Sequence, residues 1–526
     1  MKKFLPYFLI AIFCLVFFSY RLTQVPQGLT IDESAFGHNA ILLSETLHDE
    51  NNRFLPAFVL SINSKDWRQP VTQYFMTGYF KLFDPSIYNL KFTSVIVVAV
   101  GALLIFFLGN HLLGKKGGVL SLLFYATTPI IMIHSHLGLD NIMPIPFVLS
   151  WLISIYFYEK KGNLKYLYLS ALSLGIGFYS YKGMRSFVPV WSVITTIYLA
   201  LPALKSFWNP TKRDKKISWE FVNNLKKDLK PALVFIFSIL PFYAIIPLLE
   251  YKYADAVLGQ TNLQIDSIYK FLLSYVSSFD FSFLFITGDA LPHHSTGVHG
   301  VFLLASLPFF LIGLGKALQK DKFWKLIVAS FFMGPLLFGF PGSIHRASRL
   351  IALVPIYSLI CALGAKYLWK KLLHPLVISS EVKRKSRNFK PNLYLSKIIF
   401  VILVILFSIN YYDFIKYYWF QYPKNTSHIF YRTEIEKAYK ILKEESKRQN
   451  LTPHVDSEII RHEKLNDQGI TDTFLRSIYF LHPPMIWTEQ TKLPKNSILM
   501  SKNSDIPNLK KSNFLTDIEG YYFFTN

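Results

Sequence analysis

An all-α polytopic membrane protein of about eleven transmembrane helices is the fold class predicted here, and three observations predict it. Of 526 residues, 52% are hydrophobic and only 17% are charged, where a soluble chain carries roughly 25% charged residues. Several near-uninterrupted apolar runs reach the ~17–25 residues that cross a bilayer. Lysine and arginine gather in clusters between those runs, as the positive-inside rule expects. That placement also assigns the net charge of +23 to membrane orientation and lipid contact rather than to nucleic acid.

The apolar runs fall at 4–20, 92–112, 118–134, 142–158, 166–181, 187–204, 231–249, 301–319, 325–340, 349–366 and 397–413. The first resembles a signal peptide but lacks a small-x-small cleavage site, so a retained helix is expected. Cys14 and Cys361 each lie inside an apolar run and form no disulfide framework. With the N-terminus in the cytoplasm, the dense basic segments all fall on the inner side. These are Lys115–Lys116, Lys160–Lys165, 212–216, 226–230, 316–325 and 383–390.

The outer side then receives a large first loop (21–91), a second large loop (250–300) and the tail. Within the first loop, "QYFMTGYFKLF" (73–83) reads as an interfacial helix. The tail has soluble composition, with a helical run at 432–449 followed by strand-like runs. Two domains are expected: a transmembrane module over 1–413 and a small α/β extracytoplasmic domain over 414–526. The predicted location is the plasma or inner membrane.

Ionisable residues collect at the outer helix ends. Asp32 and Glu33 follow the first helix, and Arg68 lies in "DWRQP". His136 and Asp140 occupy "HSHLGLDN", with His134 at its start, and Tyr181 and Arg185 occupy "YSYKGMR". Asp289 and His294 sit in "GDALPHH", and His345, Arg346 and Arg349 in "HRASR". Charged groups at membrane depth mark functional sites. Each also has a simpler reading. "TIDE" fits a capping box from Thr30 to Glu33, the arginines can snorkel to headgroups, and the histidines suit an interface. "HSH" and "HH" lack a specific metal-ligand spacing, so no cofactor is assigned and a divalent metal ion is left open. Together, carboxylates that accept protons and arginines that grip phosphate in a bidentate fork suit acid–base chemistry on a phosphate-bearing lipid.

These loops resemble those of the GT-C superfamily membrane glycosyltransferases of family 39 type, bacterial relatives of protein O-mannosyltransferases and of the lipid A aminoarabinose transferase. The resemblance covers nearly all of 1–413. It rests on "GLTIDESAFGHNAILL", "DWRQPVTQYF", "TTPIIMIHSHLGLDNIMPIPF", "LGIGFYSYKGMRSFVPV", "FLFITGDALPHHSTGVHGVFLLASLPFFLIGLG" and "HRASRLIALVP", in that order.

The resemblance implies a GT-C fold and an inverting transfer of sugar from a polyprenyl-phosphate donor to an extracytoplasmic acceptor. That acceptor is a lipid, a cell-envelope glycan or a protein. It implies Asp32 as general base with Glu33 in support, and Arg68, Arg185 and Arg349 on the donor phosphate. His136, Asp140, Tyr181, Asp289, His294, His345 and Arg346 become site-lining candidates. The family more often has arginine at His136, glutamate at Asp140 and arginine at Lys91, which puts His136 and Lys91 in question. A flippase or transporter would place polar groups near the bilayer midplane, whereas here they gather at one face. A polymerase or ligase of lipid-linked glycans is the other alternative.

Overall fold

The computed structural model describes residues 5–208, 219–259, 267–373 except 343, and 391–526 except 432, 467, 508, 512–517 and 519. The basic runs at 212–216 and 383–390 lie outside the described residues. The chain divides into two compact units. One comprises Met1–Tyr20, Ser94–Ser135 and Asp140–Tyr422; the other comprises Arg21–Thr93, His136–Leu139 and Pro423–Asn526.

The first unit is helical. A helix stands at every predicted apolar run, and 7 helices among the described residues are long and apolar enough to cross a membrane. Leu5–Ser19 and Leu304–Leu318 are apolar but shorter. The runs predicted at 92–112 and 118–134 meet in one 40-residue element, Ile87–Ala126, which breaks at Gly114 (φ 74°, ψ 175°). Only glycine adopts that backbone without strain.

Side chains such as Phe237 and Ile398 point outward on the helices of this unit, which suits lipid as solvent. Where helices cross closely, small residues permit it. A Cβ on Gly313 would lie 1.9 Å from the Ile360 carbonyl oxygen, and one on Gly364 2.0 Å from that of Phe309. Trp151 and Trp191 stack at 5.2 Å in the interior.

The second unit joins the first outer loop to the tail. Its helices Ile31–Thr46 and Pro70–Phe80 pack with the tail helices Ile435–Arg448, Ser457–Leu465 and Gly469–Ser477. Phe36, Ile41 and Met76 from the loop share one core with Tyr439, Phe474 and Met500 from the tail. The Phe474 ring lies where a Cβ on Gly37 would be, at 2.4 Å, so the two segments meet backbone to ring.

The tail carries a five-stranded mixed sheet in the spatial order Met485–Trp487, Thr452–Asp456, Ser497–Ser501, Tyr522–Thr525, Lys510–Lys511. The first three strands run parallel and the last two pairings are antiparallel. Composition placed the domain boundary after residue 413, but that position falls inside the helix Pro391–Phe420. Residues 21–91, read as a loop of the membrane module, lie within Arg21–Thr93 and share their core with the tail instead. Composition sees the apolar content of a segment but not the distant partner that covers it.

Candidate active site

The capping box read from "TIDE" is formed. The Glu33 amide donates to Thr30 Oγ1 at 3.1 Å, and the Thr30 amide donates to Glu33 Oε2 at 2.8 Å. Glu33 is buried, and its other oxygen accepts the Gly138 amide at 2.8 Å. Both oxygens of Glu33 therefore hold backbone, which fixes the first turn of the helix. Asp32, one residue earlier, leaves 54% of its side chain exposed. The two adjacent carboxylates thus have different tasks: one builds the turn and the other leaves it.

Arg68 faces Asp32 from a hairpin. Strands Val59–Ser61 and Asp66–Arg68 pair antiparallel, and Pro70 starts the next helix at its first position. The Arg68 Nη1 donates to Asp32 Oδ1 at 2.8 Å, and Nη2 binds Asp66. The guanidinium is buried and stands 5.1 Å from the Phe36 ring. A buried cation needs such partners. Asp66 was not singled out in the sequence; its alternation with Arg68 along the strand puts it on the same face.

His136 and Lys91, the departures from the family pattern, are both buried. His136 Nδ1 lies 2.7 Å from the Val25 carbonyl oxygen, and Lys91 Nζ donates to the Pro26 carbonyl at 2.9 Å. Both tie the 25–26 segment in place.

The other unit holds a separate polar group. Tyr181, Lys182, Arg185 and Arg349 line a cavity of about 650 Å³ whose remaining walls are largely apolar, with Phe178, Tyr243, Val257 and Phe340 among them. Arg185 donates to the Ala256 carbonyl at 2.5 Å. Arg349 has a buried Nη1 that makes no hydrogen bond among the described residues. Tyr243 joins these residues from the helix Trp219–Ala244, inside a plain apolar run that gave no local signal.

Asp289 is buried and anchors a turn. Its oxygens accept the Leu291 amide at 2.9 Å and the Ala347 amide at 2.8 Å, which links the second outer loop to the start of "ASRL". His294 stacks on His134 with ring centres 5.0 Å apart, and on His293 at 4.2 Å. Burial first, then the neighbouring His134, His293 and Arg346, holds the His294 imidazole well below its ordinary pKa. It is neutral at physiological pH and is no fixed cation for phosphate. His345 and Arg346 are exposed, with His345 Nε2 3.9 Å from Asp280 Oδ1. Asp140 opens a short 3-10 turn. Among the described residues, no three His, Cys, Asp or Glu side chains converge to hold a metal ion.

Residues 68–210 match the family model described as dolichyl-phosphate-mannose-protein mannosyltransferase. No curated protein matches the chain in sequence. Among solved structures, apo ArnT from Cupriavidus metallidurans matches with a TM-score of 0.51 at 10% identity, covering 99% of this chain and 97% of that one. ArnT bound to undecaprenyl phosphate gives 0.49 at 10% identity, covering 99% and 98%. AglB from Archaeoglobus fulgidus, an archaeal oligosaccharyltransferase in complex with an inhibitory peptide and a dolichol-phosphate, gives 0.48 at 11% identity, covering 90% and 64%. The chain has the fold of ArnT, and its residues 68–210 carry the sequence pattern of the dolichyl-phosphate-mannose-protein mannosyltransferases.

Proposed function

We propose that this chain is an inverting membrane glycosyltransferase that moves a sugar from a polyprenyl-phosphate donor to an extracytoplasmic acceptor, with Asp32 as general base. The observation that carries this reading is the open carboxylate of Asp32 on a buried arginine. Oδ1 is held by Arg68, and Oδ2 has no hydrogen-bond partner among the described residues.

In the proposed step, Asp32 takes the proton from an acceptor hydroxyl or amine. The acceptor heteroatom bonds to the anomeric carbon, and the bond from that carbon to the phosphate oxygen breaks. Polyprenyl phosphate leaves from the opposite face, so the configuration inverts. Orientation of the acceptor and stabilisation of charge on the leaving phosphate supply most of the acceleration.

Arg68 spends both Nη groups on Asp32 and Asp66, so its part in this reading is to aim the base. The donor phosphate falls to Arg349, with its unpaired Nη1, and to Arg185. Apolar walls with a few cations suit an isoprenoid phosphate. The family pattern over 68–210 supports the same chemistry.

The test uses purified full-length protein in detergent with the radiolabelled polyprenyl-phosphate sugar pool extracted from the host. Asp32→Asn is expected to lower release of polyprenyl phosphate by about 10²–10⁴-fold, the usual worth of a positioned base, at unchanged membrane abundance. Normal turnover in that variant would remove Asp32 from the mechanism.

A further inference from the structure

Four lysines converge on one small cavity that the transferase chemistry does not use. Its volume is about 330 Å³, and its lining includes Lys316, Lys320, Lys366 and Lys370. The first two come from the end of Leu307–Leu318 and the turn after it, and the last two from Val354–Leu373. The close crossing at Gly313 and Gly364 brings these helices together. Leu112, Leu113, Leu363 and Tyr367 form an apolar floor.

Among the described residues, no acidic side chain lines the cavity. Among the described residues, none of the four ammonium groups has a carboxylate partner, whereas nearby Lys322 is paired with Glu159 at 2.8 Å. Two of the four serve the fold. Lys366 Nζ binds the Leu113 carbonyl, just ahead of the Gly114 break. Lys316 donates to Gln319 Oε1 at 3.0 Å and stands 4.4 Å over the Tyr367 ring. Lys320 and Lys370 are exposed and make no hydrogen bond among the described residues. Beyond the cavity, Lys116 stands 5.3 Å over the Trp369 ring.

Helix C-termini attract cations, but that attraction grows with the number of charges while repulsion grows with the number of pairs. A bound anion relieves the repulsion. The apolar floor suits the glycerol and first methylenes of a lipid, and basic pockets between membrane helices recognise anionic headgroups. We infer that this cavity binds the headgroup of an anionic phospholipid, with Lys320 and Lys370 on its phosphate. On the orientation predicted from charge asymmetry, that lipid lies in the cytoplasmic leaflet.

Native mass spectrometry of the full-length protein in detergent tests this, with cardiolipin, phosphatidylcholine and inorganic pyrophosphate as probes. Cardiolipin is expected to bind at least tenfold more tightly than phosphatidylcholine. The double variant Lys320→Ala, Lys370→Ala should lose that preference, while Lys322→Ala keeps it. On the unmodified protein, raised ionic strength should narrow the preference for cardiolipin over phosphatidylcholine. Preference retained in the double variant, or equal binding of the two lipids, overturns the proposal. Displacement of cardiolipin by equimolar pyrophosphate assigns the cavity to a free phosphate compound and overturns the lipid assignment.

Discussion

Arg68 and Arg476 each grip a carboxylate within the same compact unit, but they do so in different surroundings. Asp32 keeps 54% of its side chain in solvent beside a buried Arg68. Glu463 keeps 2% and meets Arg476 Nε at 3.1 Å, while Tyr439 donates to its other oxygen at 2.7 Å. Burial pushes the Glu463 carboxyl up, and Arg476 and Tyr439 oppose that shift. A carboxylate closed in on every side can only support the fold. One that is held at a single oxygen is fixed in direction and still open to a reactant.

The contrast breaks first at Asp32. Asp32→Asn should remove most transfer, by the 10²–10⁴-fold of a lost base, yet leave thermal stability nearly unchanged, because Asn keeps an oxygen for Arg68 Nη1 and Asp66 still balances the buried charge. A large fall in melting temperature would put Asp32 in the same class as Glu463.

Glu463→Ala should do the opposite. It strands a buried guanidinium whose Nη1 already lacks a hydrogen bond among the described residues, at a cost of about 3–5 kcal/mol. The double variant Glu463→Leu, Arg476→Leu removes both charges and should recover most of that loss. Chemical denaturation of the two variants checks this. If the double variant is as unstable as the single one, the pair is worth more than its desolvation.

Much of this architecture was legible locally. Apolar runs located the helices, and "TIDE" located the cap, because both depend on neighbours a few residues away. The outer-loop charges were legible as a set. Which of them pair was not. Asp32 and Glu33 look alike in sequence, and only the Gly138 amide, brought in from 105 positions away, distinguishes them. The same limit hid the shared core of Phe36 and Phe474, since periodicity shows that a face is covered but not by what. His294 reads in sequence only as a site-lining candidate, and its stacking on His134 and burial, which hold its pKa down, depend on packing that the local pattern does not show.

His38 tests how firmly the Asp32 helix is held by the tail. It is buried, with Nδ1 3.4 Å from Ser477 Oγ, and burial followed by Arg476 lowers its pKa to about 3. The unfolded imidazole titrates near 6.5, so the folded state refuses a proton that the unfolded state accepts. The contribution of His38 is therefore whole above about pH 6.5 and is lost as pH falls toward about 3. His38→Gln should flatten the stability curve in that window by up to about 1.4 kcal/mol per pH unit relative to the parent. Parallel curves for parent and variant would show that His38 charges freely and that the contact with the tail is loose.

Thr30→Ala is the smallest change and the finest probe of the open carboxylate. It deletes the Oγ1 that accepts the Glu33 amide, at a cost of about 0.5–2 kcal/mol. Glu33 keeps the Thr30 and Gly138 amides, so the helix start should survive. Transfer should then fall less than tenfold, far short of the loss in Asp32→Asn. A loss as deep as that of Asp32→Asn would mean that the cap, rather than Arg68, aims Asp32. Initial rates and melting curves on the same preparations separate the two cases.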